Sequence, residues 1–248
     1  MKSLVKKIIR KAGFEVINLS RPGTTSVYPS DFNQEMIETC LRVRPYTMTT
    51  PERVFALVQA VQYISRHDIP GSFVECGVWK GGSTMAIALT LLKADQTERE
   101  LYLFDTFQGM TQPLVTDGAY ANEQWAINQQ ASHNAWAYAP LQEVKANMQS
   151  TGYSSDHIHY IIGKVEDTLP AQAPERIALL RLDTDFYQST KQELEHLFPR
   201  LSPGGVLIID DYGTFEGARR AVDEYIHEHQ LSILLNRIDS ESRIAIKP

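Results

Sequence analysis

The sequence predicts an α/β chain built on a doubly wound, mostly parallel sheet, and three observations predict it. From residue 72 onward, short apolar runs alternate with helix-length amphipathic stretches. Two of the runs, ALLRL and GVLII, are almost continuously apolar, as strands are when helices cover both faces of a parallel sheet. The last two runs have no helix between them, which predicts an antiparallel hairpin on the sheet edge.

The elements follow in order. Helical spacing is plausible over Phe32–Arg42. A second helix opens at Pro51, with Val54, Leu57, Val58, Val61 and Ile64 on one face. Strands are expected at Ser72–Cys76, Leu101–Asp105, His157–Ile162, Ile177–Asp183 and Gly205–Asp210. Helices fall at Ser83–Ala94, Leu141–Ser150, Ser189–Phe198 and Thr214–His229, before final strands at Leu231–Ile238 and Arg243–Lys247. Residues 106–139 show no clear element, and so long an irregular insert after a strand reads as an active-site lid.

Composition narrows the function classes. The chain has 248 residues, 43% of them hydrophobic and 22% charged, the balance of a globular protein. Its formal charge of −6 argues against nucleic acid as a partner. Cys40 and Cys76 read as isolated thiols of a reducing compartment, and a cytoplasmic location is expected. Met1–Arg10 (MKSLVKKIIR) places Leu4, Val5, Ile8 and Ile9 on one helical face, ringed by Lys2, Lys6, Lys7 and Arg10. Those lysines interrupt the apolar core that a signal peptide needs. The segment reads first as a surface helix and second as a basic arm touching a membrane or partner, including another copy of the chain. Residues 20–31 are rich in Pro, Ser, Thr and Gly. The expected organisation is therefore a basic helix and linker over 1–31 and a main domain over 32–248.

The first strand runs into ECGVWKGGST (Glu75–Thr84), where glycines at a strand-to-helix turn let a ligand approach the backbone. The dinucleotide spacing G-x-G-x-x-G is absent, and Ser83 stands where a P-loop carries its lysine. Glu75 before the turn and Asp105 ending the next strand suit a cationic or neutral, hydroxyl-rich nucleoside better than a polyphosphate. S-adenosylmethionine, with its sulfonium, ammonium and ribose diol, fits that description.

Asp183 and Asp185 end one strand, and Asp210 and Asp211 end another. If the strands are neighbours, about 4.8 Å apart, four carboxylates share the edge where open α/β sheets bind ligands. Their repulsion calls for a bound cation or raised proton affinities. With no His or Cys in the cluster, Mg²⁺, Mn²⁺ or Ca²⁺ fits better than zinc. Capping of the following helices is the plainer alternative.

ECGVWKGGST, LFDTFQGM, GKVEDTLP, LLRLDTDFYQST and LSPGGVLIIDDYGTFEGARRAV together resemble the macrocin O-methyltransferase family of bacterial sugar methyltransferases. The resemblance runs from about Arg44 to Val222. It implies a Rossmann-like class I methyltransferase with a seven-stranded sheet, and a metal-dependent transfer from S-adenosylmethionine to a sugar hydroxyl in a glycosylated natural product or glycan. Carried over, Asp183, Asp210 and Asp211 would bind Mg²⁺ or Mn²⁺, and Asp185 would be the general base. Glu75, Gly77 and Ser83 would line the methionine and ribose part of the cofactor, Asp105 the ribose hydroxyls, and Asp167 the adenine end. Thr47, Met48 and Thr49 would fold over the cofactor. Lys164 departs from the aromatic residue that relatives often carry beside the adenine.

From the insert, His133 is a second candidate base, and Trp125, Trp136 and Tyr138 a candidate sugar-stacking wall. The rival readings are the same metal chemistry on a catechol-like diol, or a cofactor-binding module without catalysis. The glycine spacing disfavours a nicotinamide dehydrogenase.

Overall fold

The structure, a computed structural model, describes residues 28–248. The basic helix expected at Met1–Arg10 and most of the linker 20–31 lie outside the described residues. The chain divides after Ile37 into two compact units, and helix α1 (Gln34–Val43) spans the division. The sheet and the candidate site belong to the larger unit, Glu38–Pro248.

Helix α2 (Pro51–Arg66) starts where the sequence places it. Pro51 stands in the first turn and Thr50 accepts a hydrogen bond from the Arg53 amide. Val54, Leu57, Val58, Val61 and Ile64 are all buried along one face. The chain continues through β1 (Ser72–Cys76), α3 (Gly82–Lys93), β2 (Leu101–Asp105), α4 (Gly118–Ile127), α5 (Leu141–Gln149), β3 (Ile158–Ile162) and α6 (Val165–Thr168). It ends with β4 (Ile177–Leu182), α7 (Tyr187–Leu197), β5 (Leu201–Ile209), α8 (Glu216–Glu228), β6 (Asn236–Arg237) and β7 (Arg243–Ile246).

One seven-stranded sheet results, in the order β3-β2-β1-β4-β5-β7-β6. Strands β1 to β5 are parallel, while β7 runs antiparallel to β5 and β6, as expected of the edge hairpin. Every residue of β4 is buried. Each large aliphatic side chain there contributes about 1.5–3 kcal/mol of burial free energy.

The strand order reverses between β1 and β4, the place where open α/β sheets bind ligands. Register sets what emerges there. Cys76 pairs with Phe104 and with Leu182, and Leu182 pairs with Ile209. The next residues of the four strands, Gly77, Asp105, Asp183 and Asp210, therefore leave the sheet level with one another.

Three expectations need correction. The insert 106–139 is not wholly irregular, because it holds a 3₁₀ turn (Val115–Asp117) and helix α4. Only Ala121 of α4 is buried, so the helix carries no apolar stripe for periodicity to detect. The strand expected at Leu231–Ile238 shrinks to Asn236–Arg237. Leu231, Ile233 and Leu235 pack against the core from an extended segment outside any ladder. Finally, β5 begins at Leu201, before the glycines, where backbone bonds join Gly204 and Gly205 to Lys247.

Candidate active site

A cavity of about 310 Å³ opens at the carboxyl ends of β1, β2, β4 and β5. Thr47, Met48, Thr49, Glu75, Gly77, Ser83, Asp105, Asp183, Asp185, Asp210 and Asp211 all line it, so most of the sequence-derived site residues meet in one place. Asp167 does not line it; it is exposed, and its neighbours Lys164 and Glu166 line the cavity instead.

Two glycines make the approach possible. Gly77 adopts φ +81° and lies so close to the Asp183 carbonyl that no Cβ fits. A Cβ on Gly82 would lie 2.5 Å from the Tyr46 carbonyl oxygen, so the strap Tyr46–Thr49 passes directly over the start of α3.

Asp105 ties the glycine turn to β2. Its Oδ2 accepts from the Val78 and Trp79 amides at 2.7 and 3.1 Å, and its Oδ1 accepts from the Phe107 amide at 2.7 Å. Burial pushes its carboxyl above the usual range, against the pull of those amides. Glu75 forms the floor: Arg181 Nη1 donates to Oε1 at 2.6 Å and the Thr84 hydroxyl donates to Oε2. Burial raises its proton affinity and Arg181 opposes that.

Asp183, Asp185 and Asp211 each offer an oxygen, all three within 4.8 Å of one another. Such an oxygen-only donor set suits a hard divalent cation. Burial raises Asp183 and Asp185 well above the usual carboxylate range, with Asp183 adding to the shift of Asp185. Asp211 is pushed up to about 8 by burial and then by Asp185 and Asp210. Asp185 is strained as well: its φ is +69°, and its buried Oδ1 has no hydrogen-bond partner among the described residues. Both features cost free energy and gather at functional sites.

Asp210 stands apart from this trio. Arg181 Nη2 lies 2.8 Å from its Oδ1, while Arg53 Nη1 and the Thr49 hydroxyl reach its Oδ2 at 2.9 and 3.3 Å. The Ser242 hydroxyl also donates to Oδ1 at 3.3 Å, so each oxygen already accepts from two donors and a cation at Asp210 would displace one of them. Both arginines were missed as site residues in the sequence reading. A lone arginine inside the apolar run ALLRL was a usable signal, since a charge in a doubly covered strand must be paired. Arg181 is 3% exposed and bridges Glu75, Asp183 and Asp210.

Three aromatic residues, Tyr120, Trp136 and Phe215, also line the cavity. The Trp136 and Phe215 ring centroids are 6.2 Å apart, and Phe186 contacts both rings from the start of α7. Of the expected stacking wall, only Trp136 reaches the cavity. Trp125 packs the insert, with Nε1 donating to the Met110 carbonyl at 3.2 Å. Tyr138 stacks on His133 at 4.1 Å, and neither residue lines the cavity. Buried Asp117 anchors the insert: its Oδ1 accepts from the Tyr187 amide at 2.6 Å and its Oδ2 from the Leu114 amide at 2.7 Å.

The macrocin O-methyltransferase (TylF) family pattern matches residues 29–244. The chain belongs to that family. It is thus an O-methyltransferase, with S-adenosylmethionine as methyl donor. It is 35% identical over 194 residues to the 8-demethyl-8-(2,3-dimethoxy-α-L-rhamnosyl)-tetracenomycin-C 4′-O-methyltransferase of Streptomyces olivaceus, covering 78% of this chain and 72% of that one. Mycinamicin III 3″-O-methyltransferase of Micromonospora griseorubida is 35% identical over 197 residues, 79% of this chain and 76% of its own. Among solved structures, the O-methyltransferase NovP superposes with a TM-score of 0.71 at 30% identity, covering 82% of each chain. The calicheamicin methyltransferase CalS11, at 16% identity and a TM-score of 0.61, shares the fold. The class I methyltransferase fold is therefore shared across the family's sheet and beyond it. No helix among the described residues is long and apolar enough to cross a membrane.

Proposed function

We propose that this enzyme methylates a sugar hydroxyl in a glycosylated natural product or glycan, using a divalent cation, Mg²⁺ or Mn²⁺, held by Asp183, Asp210 and Asp211. One observation carries the reading. Asp185 sits strained beside Asp183 and Asp211, with a buried oxygen that nothing in the described chain satisfies. An unsatisfied carboxylate oxygen in an oxygen-only cluster fits a proton acceptor next to a bound cation. Relatives named for methylation of rhamnosyl and mycinamicin acceptors support the sugar class.

When bound, the cation lowers the proton affinity of the acceptor hydroxyl and S-adenosylmethionine supplies the electrophilic methyl. The remaining work falls to the chain. Asp185 takes the hydroxyl proton, an effect worth about 10²- to 10⁴-fold. Arg181 holds Asp183 and Asp210 in place from below, at 2.7 and 2.8 Å. Asp105 shapes the glycine turn through the Val78 and Trp79 amides. Thr47, Met48 and Thr49 cover the cofactor, and Lys164 and Glu166 flank its adenine end. Trp136 and Phe215 exclude water and seat the apolar face of a sugar ring.

The test is a mass-spectrometric methylation assay on a panel of rhamnosyl glycosides, with a catechol included. Wild type is expected to methylate at least one glycoside, to stop with EDTA and to recover with Mg²⁺. Asp185→Asn is expected to lose at least about 10²-fold in turnover while still binding Mn²⁺. EDTA-resistant turnover would remove the cation from the reading, and preference for the catechol over every glycoside would overturn the acceptor class.

A further inference from the structure

Asp185 is the middle residue of a γ-turn. The Phe186 amide donates to the Thr184 carbonyl at 2.8 Å, and the φ of +69° at Asp185 marks the rare, strained form of that turn. Such a conformation persists only where the surrounding structure holds it. Helix α7 supplies the hold. Its Ser189 and Glu193 are both buried and, four residues apart, share one helical face. The Ser189 hydroxyl donates to the Phe186 carbonyl at 3.1 Å, after the turn. The Thr184 hydroxyl, before the turn, donates to Glu193 Oε1 at 2.9 Å. Glu193 is 0% exposed, and its Oε2 has no hydrogen-bond partner among the described residues. Burial raises its proton affinity well above the usual carboxylate range, and the bond from Thr184 opposes that rise. An apolar side chain would fill the same space without the desolvation cost. What the carboxyl adds is its bond to Thr184, the residue between Asp183 and Asp185.

We propose that Glu193 is a positioning residue that, through Thr184, holds the strained turn presenting Asp185 to the acceptor hydroxyl. The inference rests on the reading of Asp185 as the proton acceptor. Glu193 does not line the cavity, so it touches neither substrate nor cofactor. Its effect passes through the backbone. Thr184 carries both the carbonyl that closes the turn and the hydroxyl that Glu193 accepts. Loss of the Glu193 bond leaves the turn held by Ser189 alone from the α7 side. Asp185 is then free to relax toward an unstrained φ, which carries its carboxyl away from the hydroxyl.

Steady-state kinetics of the full chain, on the rhamnosyl glycoside that wild type methylates fastest, tests the role. Glu193→Met is expected to lower kcat at least about 10-fold, since a misplacement of about 1 Å can cost 10²-fold. KM for the glycoside and the calorimetric dissociation constant of S-adenosylmethionine are expected to stay within about two-fold, as when only the transition state loses a contact. Glu193→Gln, whose amide oxygen accepts the same bond, is expected to keep kcat within about three-fold of wild type. In an Asp185→Asn background, Glu193→Met is expected to cost no further turnover, because the group it positions is gone. Should Glu193→Met not fold, Thr184→Val decides, since it removes the donor while keeping the side-chain shape. Unchanged kcat in the folded variant, or a Gln variant as impaired as the Met variant, overturns the positioning role. So does a loss that multiplies with that of Asp185→Asn. Full turnover by Asp185→Asn, or no methylation of any glycoside by wild type, is a different result: it overturns the functional reading and the inference with it.

Discussion

Arg181 and Glu75 form a buried ion pair at 2.6 Å, with both side chains at most 3% exposed. It lies beneath the glycine turn and beside the carboxylate cluster, so both parts of the cavity rest on one guanidinium. Removing one member of such a pair strands the other without solvent. Arg181→Leu is expected to cost about 3–5 kcal/mol in urea denaturation. Arg181→Lys is expected to recover only part of that loss, since one ammonium cannot serve Glu75, Asp183 and Asp210 in their present directions.

Gly82→Ala tests the strap. Its Cβ would lie 2.5 Å from the Tyr46 carbonyl and 2.6 Å from Thr47 Cβ, both parts of a segment with little room to retreat. Overpacking of this kind costs about 1–3 kcal/mol. The expected outcome is a loss of S-adenosylmethionine affinity by about 5- to 150-fold, the same energy read as binding. Equal affinity by calorimetry would mean that the strap moves freely.

Asp117 holds the insert to the amino end of α7 through the Tyr187 amide. With Asp117→Ala, limited proteolysis is expected to cut within residues 106–139 much faster than in wild type. Cofactor affinity is expected to change by less than about two-fold, because no contact of Asp117 reaches the glycine turn.

Glu100 gives a pH-dependent prediction remote from the site. Burial alone would raise its carboxyl, but hydrogen bonds with His157 and His159, at 2.8 and 2.5 Å, outweigh it and hold the pKa below its ordinary value. A carboxyl depressed on folding adds stability that is fully present above its unfolded pKa and is lost as pH falls through the folded value. Wild type is therefore expected to exceed Glu100→Gln in urea midpoint at neutral pH, and the gap is expected to close in acid. The side chain is 38% exposed, so solvent screening keeps the gap small.

The parts that were legible in the sequence are those with a one-dimensional signature. The β4 run reads as a doubly covered strand because every position is apolar except one, and that exception, Arg181, marks the buried charge. The four aspartates follow their strands directly, so register alone delivers them to one edge. Less was legible where partners are distant. Nothing near Arg53 in the chain reveals Asp210, 157 residues away. Helix α4 has no apolar stripe, and Asp167 is exposed while its neighbour Glu166 lines the cavity. His133 stacks on Tyr138 away from the cavity lining, a placement that no local sequence pattern signals.

Electron paramagnetic resonance of Mn²⁺, titrated into wild type and Asp211→Asn with S-adenosylmethionine present, tests the central claim most directly. The account requires one tight Mn²⁺ site per chain in wild type and its loss in the variant, with cofactor still bound. A cofactor-loaded wild type that leaves Mn²⁺ free in solution, or an Asp211→Asn variant that binds it as tightly, would contradict it.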